Sequence, residues 1–175
     1  QLISITEQYA QYAVAGPNAR CLLEKLIDFG EDISNEAFPF MACGEISICG
    51  GVKARLFRIS FSGELAFEIA VPSRYGDAMI RALMAVGEEF GVTPYGTEAL
   101  GVMRIEKGHV AGNELNGQTT ALQMGLGRMV SQSKDSIGVV LSRRPELVRD
   151  DDYELIGLKP VNSDQPLIAG SHFIG

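Results

Sequence analysis

At 175 residues, 46% apolar and 21% charged, the chain is long enough for one sizeable core, or one domain and part of another, and too apolar to be disordered. Its formal net charge of −7 excludes a non-specific binder of nucleic acid or of an anionic membrane surface, because either needs a dense basic face to neutralise phosphates. Cys21, Cys43 and Cys49 have no C-x-x-C spacing and only two histidines beside them, which makes a poor metal set and leaves free thiols in a reducing cytosol as the simpler expectation.

In chain order, residues 2–6 and 9–14 are short alternating runs that predict a first hairpin. Gly16-Pro17-Asn18 then starts a helix carrying Leu22, Leu23, Leu26 and Ile27 at helical spacing up to Gly30, with Cys21 and the leucines expected to face the core. Residues 31–40 read as a loop or a short turn. Runs 41–49 and 52–61 alternate again around Gly50-Gly51, a second hairpin signal. The third and strongest pairs runs 56–61 and 65–71 across Ser62-Gly63, predicting a tight glycine turn. In the second run Leu65, Phe67, Ile69 and Val71 share one face, and Ala66, Glu68 and Ala70 the other. A carboxylate between two methyl-sized neighbours reads in two ways. It is either the solvated side of a half-buried sheet, or a shallow slot in which something flat lies while Glu68 accepts hydrogen bonds from its edge.

Ser73 is a candidate N-cap for a helix with Tyr75, Met79, Ala82, Leu83 and Val86 at three- and four-residue steps through about Phe90, with Gly91 as the stop. Pro94-Tyr95-Gly96 predicts a turn, and Thr97 is a candidate cap for a second helix whose Leu100, Met103 and Arg104 share a face before Gly108. Arg104 on that helix either buttresses a site or pairs with Glu98 or Glu106, and His109 is either structural or functional. Residues 111–127, rich in glycine and asparagine, predict an ordered loop near the site. A helix-like segment follows from Lys134 to about Arg144, then a charged linker over 146–152. Short strands are expected over 153–158 and 166–170. Hairpins rather than single β-α-β alternation favour an α+β fold, helices packed on an antiparallel sheet, over a doubly wound one. No apolar run reaches roughly 18 residues and no basic leader is present. The chain opens on Gln1 and stops at Phe173-Ile174-Gly175 inside a strand-like run, so it reads as a piece of a longer polypeptide.

Several chemistries fall away. Gly50-Gly51 and Gly125-Leu126-Gly127 do not follow a strand–GxGxxG–helix order, which argues against a dinucleotide site. Ser62 is not in a G-x-S-x-G elbow, which argues against acyl hydrolysis. On one extended strand Glu64 and Glu68 would lie on the same face about 13 Å apart, too far to share a proton.

The segment R-I-S-F-S-G-E-L-A-F-E, residues 58–68, resembles the R-x-G-Y-T-G-E-x-G-x-E hairpin of the aminomethyltransferase (glycine-cleavage T-protein) superfamily, whose members bind tetrahydrofolate. Residues 94–100, 103–108 and 118–127 resemble the segments that follow it there. The wording FRISFSGELAFEIAVP, PYGTEALGVMRIEKGHVAGNELNG and GLGRMVS is most similar to the branch formed by the alpha subunits of heterotetrameric sarcosine oxidases, and the likeness covers nearly the whole chain. It implies a partial folate-binding α+β domain over 1–145 and, over 146–175, the beginning of a small C-terminal β-barrel.

The resemblance also implies that Glu68 holds the pterin ring and that Glu64 matches the turn-proximal glutamate, with Phe61, Tyr95 and Arg104 as further folate-binding candidates. An arginine that contacts the folate tail in T-proteins falls on Leu100, so the tail must be held otherwise. The family's catalytic aspartate precedes Gln1, which leaves no catalytic or metal-binding residue assigned within the chain. FAD, FMN and NAD are expected in the full complex but not on this segment, and beta, gamma and delta subunits are the expected partners in the cytoplasm. The implied activity is oxidative demethylation of sarcosine with capture of the one-carbon unit as 5,10-methylenetetrahydrofolate. The alternatives are an aminomethyltransferase or dimethylglycine dehydrogenase relative, and a non-catalytic subunit-docking module with a vestigial folate site.

Overall fold

A computed structural model describes residues 2–131, 133–148, 153–168 and 170–172. The chain divides into two compact units, Gln1–His109 and Val110–Gly175. The expected boundary at 145/146 lies inside the second.

The first unit is built on β4 (Ala66–Pro72), whose side chains are buried on both faces except at Glu68 and Pro72. It pairs antiparallel with β1 (Tyr9–Ala15) on one side and β3 (Val52–Phe57) on the other, and β2 (Cys43–Ile48) completes a four-stranded sheet in the order β1-β4-β3-β2. The expected antiparallel α+β architecture is therefore present. Phe67, Ile69 and Val71 form the centre of the core, together with Ile48 and Leu56 from the neighbouring strands. At about 1.5–3 kcal/mol for each fully buried large apolar side chain, this face is a main source of stability. Helices α1 (Ala19–Glu24) and α2 (Gly76–Gly87) cover it with Leu22, Leu23, Met79 and Leu83. Tyr12 Oη donates to Gly76 O over 2.8 Å, tying the start of α2 to β1. A Cβ at Gly76 would lie 2.8 Å from that of Ala10, so only glycine lets the helix sit this close.

Several local expectations change. Residues 2–6 form no strand: Thr6–Gln8 is a single 3-10 turn, and β1 pairs with β4 rather than with its own neighbour. The helix expected to run to Gly30 ends at Glu24, because the chain beyond it is captured by the end of β2. Ile27 bridges Ile48, Asp28 N donates to Ser47 O and Cys49 N donates to Leu26 O. Leu22, Leu23 and Leu26 are buried as expected, whereas Cys21 points outward. Ser73 begins a 3-10 turn, Ser73–Tyr75, and α2 has no side-chain cap. The stop at Gly91 holds, in the left-handed conformation at φ +69°.

The largest difference is in the strongest hairpin. The pairing Phe57↔Glu68 has the register of a two-residue Ser62-Gly63 turn, but the ladder stops there and residues 58–65 leave the sheet. The backbone of Arg58 shows why. Its N–H donates to Ala42 O and its carbonyl accepts from Met41 N, so this stretch stays on the β2 side while β4 goes its own way. Helix α3 (Thr97–Lys107) follows the predicted turn and ends at Gly108, φ +75°, but Gly96 rather than Thr97 stands at its N-cap and no side chain caps it, because Thr97 is already its first helical residue.

In the second unit α4 (Ile137–Leu141) is capped by Ser136 Oγ, which accepts from Val139 N. The strands expected over 153–158 and 166–170 are not formed among the described residues, and the start of a barrel is not seen. These apolar alternations find no partner ladder. Leu155 N donates instead to the carbonyl of the buried Gln123, and Tyr153, Ile156 and Ile168 stay exposed. Residues 149–152 of the expected linker, Ala169 of the second run and residues 173–175 lie outside the described residues.

Candidate functional site

Where the 58–65 loop parts from β4, it leaves a cavity of about 230 Å³ above the sheet face opposite the helices. Its floor follows from cross-strand register. Ala15 lies opposite Ala66 and Ala13 opposite Glu68, so three residues with nothing beyond Cβ surround one carboxylate. Ile59, Phe61 and Ser62 of the loop form one wall, and Tyr95 and Leu100 another. On β4 the Ala/Glu face is open to solvent only in part: Ala66 and Ala70 are buried and Glu68 is half-buried. Ala70 lies between Gln11 and Arg55 in register, and the Arg55 guanidinium stacks over Tyr9 with its carbon 4.3 Å from the ring centre. A second, larger cavity of about 650 Å³ runs along β1 between α2 and the 90–97 segment, and it shares Ala13, Ala15, Tyr95 and Leu100 with the first.

Of the five residues singled out from sequence, Phe61, Glu68 and Tyr95 line the smaller cavity together. Glu68 Oε2 accepts a hydrogen bond from Gln11 Nε2. Tyr95 has its hydroxyl pKa raised, first by burial and then by the negative charges of Glu64 and Glu68, so it remains a protonated donor at neutral pH. Glu64 lies behind the cavity wall rather than on the strand, which removes the geometry that put the two glutamates on one face. Its carboxylate accepts from Ser62 Oγ. That bond first and the Glu64 N–H second hold Glu64 below the usual carboxylate range; burial opposes them, and the charge of Lys107 adds the smallest contribution in the same direction as the hydrogen bonds.

Arg104 stands off the cavity and donates through Nη1 to His109 O over 3.3 Å. The His109 ring in turn meets Phe61 edge-on, with centroids 4.9 Å apart, so Arg104 bears on the wall at one remove.

The sequence reading missed Gln11, Ala13 and Ala15, although the 9–15 run carries the same small-polar face as β4. It also missed Ser62, only 5% exposed, and Lys107, whose Nζ donates to Ser60 O over 3.0 Å and whose stem lies against Gly63. Among the described residues no group of three or more His, Cys, Asp or Glu could hold a metal ion, and no helix is long and apolar enough to cross a membrane.

With this geometry in hand, the likenesses to known proteins are specific. Over 176 aligned residues, 99% of the chain, it is 48% identical to the sarcosine oxidase subunit alpha of Rhizobium meliloti (strain 1021), and over 172 residues, 98% of the chain, 42% identical to that of Corynebacterium sp. (strain U-96). Each alignment takes in 18% of the relative, so the chain spans under a fifth of their length. The mitochondrial dimethylglycine dehydrogenase of Mus musculus is 35% identical over 141 residues, 79% of this chain and 16% of that protein. The family model of the GCVT N-terminal domain matches residues 1–134, most of the chain, and the chain belongs to that family.

Proposed function

We propose that this chain is the tetrahydrofolate-binding portion of a sarcosine oxidase alpha subunit. The observation that carries the reading is the alanine-floored cavity with Glu68 at its centre. A flat heterocycle lies on Ala13, Ala15 and Ala66 because no side chain rises from them. Its N–H edge meets an acceptor-only carboxylate already oriented by Gln11, and the Tyr95 hydroxyl supplies a donor. The smaller cavity takes a ring system rather than a whole folate. The adjoining larger one, lined mainly by apolar groups, receives the rest, in keeping with Leu100 standing where a tail-binding arginine would.

In this reading tetrahydrofolate supplies the nitrogen nucleophiles that take up a one-carbon unit at the formaldehyde level, giving 5,10-methylenetetrahydrofolate. This chain's residues bind and orient it. Holding the acceptor nitrogens near the point of release turns a bimolecular trapping step into a local one. Oxidation of the amine belongs to flavin and nicotinamide sites elsewhere in a cytoplasmic complex with beta, gamma and delta subunits. A small β-barrel to which residues 146–175 contribute belongs to the same proposal. An aminomethyltransferase or dimethylglycine dehydrogenase activity would use the same cavity with a different amine.

The test is calorimetric titration of tetrahydrofolate into the intact protein and its Glu68→Gln variant. A charge-assisted hydrogen bond contributes about 1.5–3 kcal/mol, so the affinity should fall by roughly ten- to a hundredfold while amine oxidation barely changes, and released formaldehyde should rise in its place. Equal affinities would sink the reading.

A further inference from the structure

Ser62 is a buried hydroxyl in the cavity wall to which the sequence reading gave no binding role, and its polarity is decided by a residue outside the cavity. Glu64, exposed behind the wall, is an acceptor-only carboxylate, held ionised by the groups around it. The Ser62 proton is therefore committed to Glu64 Oε2, and what Ser62 can still offer is a lone pair. The loop keeps this arrangement in place from two sides. Gly63 N donates to Ser60 Oγ over 2.8 Å, and Lys107 Nζ donates to Ser60 O.

We propose that Ser62 Oγ is a specificity-determining acceptor for a second N–H donor of the ligand, with Glu64 as the positioning residue that fixes its polarity. The cavity then presents acceptors from two directions, the Glu68 carboxylate from the floor and the Ser62 hydroxyl from the wall, while Tyr95 contributes a donor. This selects a ring whose rim carries amino and ring N–H groups and disfavours one with acceptors at those positions. The inference rests on the tetrahydrofolate reading above.

Tetrahydrofolate titrations into the intact protein test it with Ser62→Ala, Ser62→Thr, Glu64→Ala, the Ser62→Ala/Glu64→Ala double variant and Glu68→Gln, each checked for folding by circular dichroism. Ser62→Ala should weaken binding by about tenfold and Ser62→Thr, which restores the hydroxyl, by less than about threefold. Glu64→Ala releases the hydroxyl to rotate and should weaken binding by about three- to tenfold. The double variant should be no weaker than Ser62→Ala, because Glu64 acts only through that oxygen. If Ser62→Ala fails to fold, Glu64→Ala carries the test, since it removes an exposed side chain. Loss in Glu68→Gln with none in Ser62→Ala or Glu64→Ala overturns this inference alone. An additive double variant overturns the link between the two residues. No loss in any single variant overturns both the inference and the reading beneath it.

Discussion

Ala13→Leu tests the shape of the site independently of its charge. Ala13 stands on β1 opposite Glu68, lines both cavities and is exposed on the sheet face. Leucine adds three carbons where the ring would lie, between the wall that carries Phe61 and the wall that carries Tyr95. For the empty protein the change is mild: an exposed position in a strand that keeps its ladder should alter stability by less than about 0.5 kcal/mol. For the complex the added carbons must be accommodated in a filled space. Overpacking of that kind costs about 1–3 kcal/mol, which is roughly a five- to hundredfold loss of tetrahydrofolate affinity. Calorimetric titration paired with urea unfolding separates the two effects. An affinity within about twofold of wild type at unchanged stability would refute a ring lying on the alanine floor, whatever Glu68→Gln does. A large loss of stability would refute the claim that Ala13 faces open space.

Two further outcomes follow from the same geometry. Gly63→Ala should destabilise the protein by about 1–3 kcal/mol in urea unfolding, since Gly63 sits at φ +102° and an added Cβ would lie 2.9 Å from Lys107 Cδ; Gly63→Ala at full stability would contradict the loop conformation. Cys21, Cys43 and Cys49 are exposed and unpaired, so denatured, non-reduced protein should titrate three thiols. The Cys49 thiol, with its pKa raised by burial first and the Asp28 charge second, should alkylate more slowly than a model thiol at pH 8, as followed by mass spectrometry.

Strand and helix identity were largely local matters, and composition was enough to read them. The alternation in 65–71, the Gly50-Gly51 punctuation and the run of apolar steps ending at Gly91 each correspond to an element, because the inward period of a strand or helix is written in single residues. Glu68 between two alanines was visible for the same reason, and the motif around it pointed to the family. What it could not reveal was whether that face meets water. That depends on β1 lying beside β4, more than fifty residues away in sequence, which brings Ala13, Ala15 and Gln11 to the carboxylate.

The turn is the clearest case. Ser62-Gly63 has the composition of a tight hairpin and even its register, yet the loop opens because Arg58 finds its backbone partners at Met41 and Ala42. The end of helix α1 and the runs at 153–158 and 166–170 differ from expectation for a related reason: α1 yields to the end of β2, and the two runs meet no ladder among the described residues. Periodicity states which side of a segment is apolar. Only tertiary structure decides which partner satisfies its backbone, and here that choice makes the cavity: had the hairpin closed as its sequence suggests, residues 58–61 would continue the sheet beside β4, and Ile59, Phe61 and Ser62 would not form a wall of the cavity.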